Sequence, residues 1–202
     1  KQTFSFEIFP PKGEMSQQAA AGIADELAAC GPDYISVTFS AGGTGNSANT
    51  VAIADRIQRD HPDVASLAHL TCMGATRETV DGYVAELKAA GVDNVLALRG
   101  DRVAGREPID FTYASDLISH LKGSGLCIGA ACYPEGHPED LSVADGIKHL
   151  KEKVDAGCEF LTTQMFFDNN ILYSFLYKIR EAGITVPIVA GIMPVTNGNQ
   201  IK

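Results

Sequence analysis

Short apolar runs rich in β-branched residues alternate along the chain with amphipathic stretches of helical period. The runs begin near residues 4, 34, 66, 94, 127, 160 and 187, so successive starts are 27 to 33 residues apart. That spacing fits one strand, one helix and their loops. The stretch 79–90 is typical of the helices, because Val80, Tyr83, Val84 and Leu87 fall on one helical face. The pattern therefore predicts seven consecutive strand–helix units.

Glycine marks the predicted end of five helices. It stands at positions 31, 91, 125, 157 and 183, each directly before an apolar run. A glycine after a helix takes the left-handed backbone conformation that closes the last turn. Two helix starts are predicted from capping residues, Ser16 before Gln17 and Thr76 before Thr79.

Strand–helix units in unbroken succession predict parallel strands joined by right-handed crossovers. An open doubly wound sheet and a closed (β/α)8 barrel both satisfy this pattern. An open sheet usually carries a glycine-rich fingerprint after its first strand, where this chain has Pro10-Pro11-Lys12-Gly13. Near-constant spacing favours the α/β barrel, which typically needs eight units and about 250 residues. We predict a single TIM-barrel domain over residues 1–202 that covers about seven units and lacks its C-terminal end.

Composition narrows the class of partner. The 202 residues carry a net charge of -9 and are 45% hydrophobic, which is ordinary for a globular protein and argues against a nucleic-acid partner. No apolar run approaches the roughly 20 residues of a membrane span. The five cysteines form no C-x-x-C pair, which favours buried thiols in a reducing cytoplasm. The five histidines show no ligand spacing, so no metal site is expected.

Polar side chains fall on the predicted inner face of the barrel, because side chains alternate along each strand. In strand order they are Ser5 and Glu7, Ser36 and Thr38, His69 and Thr71, then Arg99 after Val95 and Ala97, and finally Thr162 and Gln164. Barrel enzymes build their active sites at the carboxyl ends of the strands. A buried polar group without a partner costs about 1–3 kcal/mol. The pattern therefore predicts a ligand site there, with a self-satisfied polar network as the alternative.

Individual residues suggest specific chemistry. Glu7 is the only carboxylate on an apolar strand's inner face, which predicts a raised pKa and a role as an acid; an internal ion pair is the alternative. The segment Arg99-Gly100-Asp101 could bind a ligand phosphate and polar edge, or form a local pair at a turn. The loop 133–138 and the aromatic pair Phe166-Phe167 could each line a planar ligand. The alternatives are that the loop is only a solvated connection and that the aromatic pair caps the core.

Seven segments together resemble the methylenetetrahydrofolate reductase family, in that family's order. They are 4–12 (FSFEIFPPK), 69–72 (HLTC), 98–101 (LRGD), 133–138 (YPEGHP), 150–157 (LKEKVDAG), 163–168 (TQMFFD) and 189–194 (VAGIMP). The resemblance extends over essentially the whole chain. It implies a flavin-dependent (β/α)8 barrel of the bacterial type, which binds its cofactors at the barrel rim without a Rossmann fingerprint.

The resemblance also implies an activity. Such enzymes hold FAD, take a hydride from NADH or NADPH, release the oxidised nicotinamide and then bind 5,10-methylenetetrahydrofolate at the same flavin face. The hydride passes to the folate in this ping-pong sequence, giving 5-methyltetrahydrofolate for methionine biosynthesis. The implied protein is a cytoplasmic homo-oligomer whose partners are small molecules.

Residue roles follow from the same resemblance. Glu7 matches the general acid that helps open the folate ring, Asp101 matches an aspartate near flavin and folate, and Gln164 matches a side chain that hydrogen-bonds the pterin. The positions matching FAD contacts are Thr38, His69, Arg99, Gly100, Asp101, Tyr113, Ala114, Tyr133, His137 and Lys153. A further acidic contact aligns either with Asp145 or with Gly146.

Two departures from the family favour other interpretations. Gly198 stands where the family often has an aromatic residue that packs on nicotinamide or folate, and the family's C-terminal segment is not in the sequence. The alternative function is a non-catalytic flavin- or folate-binding barrel, a subunit of a larger complex. Another flavin barrel oxidoreductase, such as a proline dehydrogenase-like protein, is a more distant option.

Overall fold

A computed structural model describes residues 2–10, 17–39, 47–102 and 107–198. In these ranges the strands are β1 Ser5–Ile8, β2 Tyr34–Val37, β3 Ala65–Thr71, β4 Asn94–Leu98, β5 Cys127–Cys132, β6 Phe160–Thr163 and β7 Ile188–Val189. The helices are α1 Gln17–Ala28, α2 Ser47–Asp60, α3 Arg77–Ala89, α4 Ala114–Leu121, α5 Val143–Ala156 and α6 Asn169–Glu181. The predicted cap Ser16, and Pro11 and Lys12 of the first matched segment, lie outside the described residues.

The strands are hydrogen-bonded to one another in chain order, β1 to β7, and helices alternate with them. The register is parallel for β1–β2, β2–β3, β3–β4 and β6–β7. A doubly wound sheet would reverse its strand order at a switch point, whereas a barrel keeps chain order. The described residues thus have the α/β architecture of a (β/α)8 barrel over seven strands, as predicted.

The chain divides into two compact units, Lys1–Gly129 and Ala130–Lys202. In the first unit the core consists of strand residues facing the helices, including the fully buried Ile35, Val37 and Ala68. Helix α2 contributes Ile57 to this core and packs on β3, while Leu117 of α4 packs on the side of β4. Burial of these apolar side chains leaves the opposite face of the strands for polar residues.

The second unit has its own smaller core. Leu161 of β6, Ile179 of α6 and Ile184 before β7 are fully buried. Strand β7 pairs with β6 through Leu161 opposite Ile188. Just beyond β7, the Gly191 amide donates a hydrogen bond of 2.9 Å to the Thr163 hydroxyl.

The predicted helix ends are confirmed closely at Gly91, Gly157 and Gly183, whereas Gly31 and Gly125 lie three and four residues beyond the last residues of α1 and α4. All five predicted glycines have positive φ, from 69° at Gly31 to 128° at Gly157. Thr76 caps α3 and accepts a hydrogen bond from the Thr79 amide, and Val80, Tyr83 and Leu87 of that helix are buried. These features depend on neighbours in sequence, which is why the sequence alone was sufficient to predict them.

The expectation of buried thiols holds for three cysteines and is wrong for one. Cys72, Cys132 and Cys158 are buried and Cys127 is half-buried, but Cys30 is exposed just after α1. The five thiols are unpaired. Among the described helices, none has the length and apolar composition to cross a bilayer.

Substitution of Gly191 by alanine tests how closely the backbone passes β6. An added Cβ would lie 2.2 Å from the Thr163 carbonyl oxygen, so the segment must shift. We expect Gly191→Ala to lower the free energy of unfolding by about 1–3 kcal/mol, measured by chemical denaturation. The control is Gly82→Ala in α3, where an added Cβ meets nothing within 4 Å. It should be neutral or stabilising, since alanine favours helices. Equal effects of the two substitutions would contradict the close approach.

Candidate functional site

The register of the first three strands brings three polar side chains together on one face. Glu7 of β1 lies opposite Ser36 of β2, and Ser36 lies opposite Leu67 of β3. His69, two residues after Leu67, points to the same face because side chains alternate. The Ser36 hydroxyl donates to Glu7 Oε2 at 3.4 Å, and His69 Nε2 lies 3.4 Å from the same oxygen. We call Glu7, Ser36 and His69 the Glu7 cluster.

His69 is the buried member of the Glu7 cluster. Its side chain is 7% exposed, and the hydroxyl of Tyr83 donates to its carbonyl oxygen at 3.2 Å. The Nε2 atom is buried, and its alignment on Glu7 falls short of a hydrogen bond, so it has no hydrogen-bond partner among the described residues. A buried donor without an acceptor costs about 1–3 kcal/mol. Such an atom favours either a shift of the Glu7 carboxylate toward it or an acceptor atom from a ligand.

The predicted raised pKa of Glu7 is wrong. Its pKa lies below the ordinary value of a glutamate, chiefly because of the polar contact with His69. Partial burial raises the pKa, but the His69 charge and the Ser36 hydroxyl add to the lowering. The side chain is 46% exposed, so water also solvates the carboxylate. The alternative interpretation, an ion-pair partner, describes this state better.

The segment 99–101 follows β4 at the same end of the sheet as Thr71, the last residue of β3. Ala68 pairs with Val95 and Leu70 with Ala97, so the prediction that Val95 and Ala97 share the face of His69 is wrong. Arg99 comes after Leu98, the last residue of β4, so strand alternation does not determine its face and its predicted role stays a prediction. Arg99 Nε donates to the Gly100 carbonyl at 3.3 Å, and Asp101 is exposed.

Cys72 connects the β4 loop to the start of α4. Its thiol contacts the carbonyl oxygens of Arg99 at 3.8 Å and of Tyr113 at 3.7 Å. Burial raises the pKa of this thiol to about 11, so it remains a neutral donor at physiological pH. Tyr113 precedes α4 with its ring exposed, and Ala114 begins the helix and is buried. The sequence analysis assigned Cys72 no role, because its contacts are to backbone atoms distant in sequence.

Thr38 lies directly after β2, beside the end of β1. Its amide donates to the Ile8 carbonyl at 3.0 Å, and its own carbonyl accepts from the Thr50 hydroxyl at 3.0 Å. Only 9% of the residue is exposed. The backbone at Thr38 is therefore fixed from both sides, close in the sheet to Glu7.

The second unit contains an aromatic and cationic group. The rings of Tyr133 and His137 meet edge to face with centroids 4.7 Å apart, across a turn closed by Gly136. Lys153 Nζ lies 5.9 Å from the Tyr133 ring centroid and donates to the Ala131 carbonyl at 3.0 Å. Three of the predicted cofactor contacts thus lie together. A half-buried ammonium beside two aromatic edges is suited to an anionic ligand with a ring system.

Gln164 is also in the second unit, just after β6. Its amide donates to the Cys132 carbonyl at 2.7 Å, which fixes the backbone, while the residue is exposed. The nearby Phe167 is 67% exposed, and its amide donates to Glu135 Oε1 at 3.2 Å. The alternative interpretation, that Phe167 caps the core, is therefore wrong, and its aromatic surface is available to a ligand.

Two remaining positions differ in what they can do. The Asp145 carboxylate accepts from the Ser142 hydroxyl at 2.8 Å at the start of α5, which gives it a capping role. Gly198 is exposed, and an added Cβ there would meet nothing within 4 Å. Among the described residues, no group of three histidine, cysteine or acidic side chains could hold a metal ion.

Comparison with known proteins gives a consistent assignment. The family model described as methylenetetrahydrofolate reductase matches residues 1–202. Methylenetetrahydrofolate reductase 1 of Schizosaccharomyces pombe is 40% identical over 203 residues, covering 96% of this chain and 33% of that protein. The 5,10-methylenetetrahydrofolate reductase of Escherichia coli is 37% identical, covering 98% of this chain and 66% of that protein. The chain thus spans one third of the fungal relative and just under two thirds of the bacterial one.

A solved structure supports the fold independently. The crystal structure of 2,3-dimethylmalate lyase, a member of the PEP mutase/isocitrate lyase superfamily, matches with a TM-score of 0.64. The match covers 98% of this chain and 71% of that one at 12% identity. At this identity the likeness concerns the fold alone.

Substitution of Gly100 by alanine tests the geometry of the β4 loop. Gly100 has φ of +88°, and an added Cβ would lie 3.2 Å from Thr71 Cβ and 3.4 Å from Met73 Cβ. We expect Gly100→Ala to lower the free energy of unfolding by about 1–3 kcal/mol, from backbone strain plus crowding. Gly31→Ala is the matched control, because φ is +69° but nothing lies within 4 Å of its added Cβ. If denaturation shows equal losses for both variants, the contact with β3 is not significant.

Proposed function

Because the chain belongs to the methylenetetrahydrofolate reductase family, we propose that it takes part in reducing 5,10-methylenetetrahydrofolate to 5-methyltetrahydrofolate. NADH or NADPH would supply the hydride, and FAD would supply the two-electron chemistry that links the two half-reactions of a ping-pong sequence. The observation that supports the reaction most directly is the Glu7 cluster. It places a half-exposed carboxyl group at the carboxyl end of β1, where the family's acid is expected and where barrel enzymes carry out chemistry.

The donor groups present fit FAD. The first unit offers the Arg99 guanidinium, the His69 imidazole and Gly100, where the backbone has no side chain. The second unit offers the Lys153 ammonium beside the Tyr133 and His137 rings. Cations suit a pyrophosphate, and aromatic edges suit a planar ring. The residues we propose to hold FAD are Thr38, His69, Arg99, Gly100, Asp101, Tyr113, Ala114, Tyr133, His137 and Lys153. When bound, FAD supplies two-electron transfer between nicotinamide and folate.

Glu7 would donate the proton that opens the five-membered ring of the substrate. An acid must be protonated before it acts, whereas the pKa of Glu7 is lowered in the free chain. The side chain is half-exposed, so a pterin ring placed against it would remove water from the carboxylate. Desolvation raises the pKa of a carboxyl group and favours the protonated form. Substrate binding thus provides the change in environment that converts Glu7 into an acid.

Asp101 and Gln164 would act on the folate by charge and by hydrogen bonding. Ring opening leaves a positive charge on the substrate's methylene group, which a nearby carboxylate stabilises. Asp101 is exposed after β4 and able to meet a ligand. Gln164 is exposed on a fixed backbone, and its amide can both donate to and accept from a pterin edge. We further propose that the protein works in the cytoplasm as a homo-oligomer, in one-carbon metabolism.

One observation favours a second function, binding of flavin or folate without catalysis in a larger complex. Gly198 provides no aromatic surface at the position where the family often has one. Weaker stacking on nicotinamide or folate would reduce turnover before it abolished binding of the cofactor.

The decisive experiment separates the two half-reactions. The purified protein should be yellow, should bleach with NADH or NADPH, and should regain its colour with 5,10-methylenetetrahydrofolate. Glu7→Gln should slow the folate half-reaction by about 10²–10⁴-fold and leave flavin reduction unchanged, because only the folate step needs an acid. Stopped-flow absorbance measures both rates.

The control for this substitution is Glu26→Gln, which removes an exposed carboxylate of α1 and should change neither rate. Equal loss of both half-reactions in Glu7→Gln would contradict the acid role. A colourless or redox-silent protein would instead support the non-catalytic alternative.

A further inference from the structure

The two polar neighbours of Glu7 contact the same atom. The Ser36 hydroxyl and His69 Nε2 each lie 3.4 Å from Oε2, although the carboxylate has two oxygens. Ser36 and His69 come from different strands, β2 and β3, so this convergence is set by the register of three strands rather than by local sequence. Both neighbours are buried, while Glu7 is half-exposed.

We propose that Ser36 and His69 are positioning residues that hold Oε2 of Glu7 as an acceptor and leave Oε1 to carry the catalytic proton. The catalytic part of this inference rests on the proposed function; the contacts themselves do not. The proposal assigns Ser36 a role, and it gives His69 a function toward Glu7 in addition to any contact with a cofactor.

The chemistry of the carboxyl group makes the two oxygens unequal. A protonated carboxyl carries its proton on one oxygen, and the other oxygen remains an acceptor. The Ser36 hydroxyl donates to Oε2, and a small shift of the carboxylate would let the His69 N–H, 3.4 Å away, donate to the same oxygen. Two donors to Oε2 stabilise it as the acceptor, so the proton is placed on Oε1. For this contact, His69 must carry a proton on Nε2. Burial limits the movement of the imidazole, and the hydrogen bond from Tyr83 to the His69 carbonyl holds the backbone from which the ring extends.

The other titratable and polar groups near Glu7 do not provide the same contact. Tyr34 lies on β2, and burial raises the pKa of its phenol, with the Glu7 charge contributing a further rise. Ser5 lies two residues before Glu7 on the same face of β1, but its hydroxyl interacts with Tyr34. Among the described residues, the groups that lower the pKa of Glu7 are therefore His69 on β3 and Ser36 on β2.

The sign of the expected effect follows from which form each donor stabilises. A donor to a carboxylate stabilises the ionised form, so its removal raises the pKa. His69 is the larger cause of the lowered pKa and Ser36 the smaller. Removal of His69 should raise the pKa of Glu7 more than removal of Ser36 does. Removal of Ser5 should leave the pKa of Glu7 where it is.

A direct test needs no cofactor. The protein is labelled with ¹³C at the glutamate side chains, and the Glu7 carboxyl signal is assigned by its loss in Glu7→Gln. The signal is then titrated with acid in wild type, Ser36→Ala, His69→Asn and the control Ser5→Ala. We expect the Glu7 pKa to be lowest and equal in wild type and Ser5→Ala, higher in Ser36→Ala and highest in His69→Asn. If the Glu7 pKa is unchanged in Ser36→Ala, Ser36 is not a positioning residue. If it is unchanged in His69→Asn, His69 is not one.

Half-reaction kinetics then test the catalytic part. Ser36→Ala should slow the folate half-reaction about tenfold, because the proton is less well oriented, and leave flavin reduction by NADH unchanged. Its remaining rate should persist to higher pH than in wild type, since the acid has a higher pKa. If Ser36 had only a structural role, Ser36→Ala would lower the rates of both half-reactions without changing their pH dependence. That result would overturn the proposal.

The two levels of the inference fail separately. If the titration shows the expected order but the protein neither binds FAD nor reduces the folate, the proposed function fails and the contacts to Oε2 remain. If the protein reduces the folate but the titration order is absent, the proposed function stands and the positioning role is wrong.

Discussion

The site depends on the parallel register of neighbouring strands. In a parallel sheet that keeps chain order, all strands end on the same side, and residues at matching positions point to the same face. The pairing of Glu7 with Ser36, and of Ser36 with Leu67, therefore determines that His69 faces the same carboxylate. A shift of one residue in either pairing would turn one of these side chains toward the helices. The apolar residues between them, such as Ile35 and Val37, oppose that shift because they are fully buried on the other face.

The sequence predicted the features that local chemistry controls. Features that depend on neighbours within a few positions include the five glycines with positive φ, the Thr76 cap and the seven strands. The predicted and observed starts of the strands differ by one residue at most. The polar character of the strand ends was also predicted, because alternation within one strand is enough to find it. Barrel topology followed from these elements and from their spacing.

Properties that depend on contacts between strands were not predictable in the same way. The direction of the Glu7 pKa shift is set by His69, 62 positions later in the chain, and an isolated apolar strand suggested the opposite sign. The face that Val95 and Ala97 share depends on their pairing with Ala68 and Leu70, which one strand's alternation does not reveal. Ser36 was placed on the inner face, but its contact with Oε2 becomes visible only when β1 and β2 are aligned.

The lowered pKa of Glu7 and a role as an acid describe two states of the same group. In the free chain, His69 and Ser36 favour the carboxylate, and water reaches almost half of the side chain. A pterin against that side chain would remove the water, which raises the pKa, while the two donors continue to oppose protonation. The opposing contributions would hold the pKa below the value that burial alone would give, and a lower pKa makes the carboxyl group a stronger proton donor. The donors that keep Glu7 ionised at rest would thus also limit how tightly it retains its proton when the substrate is bound.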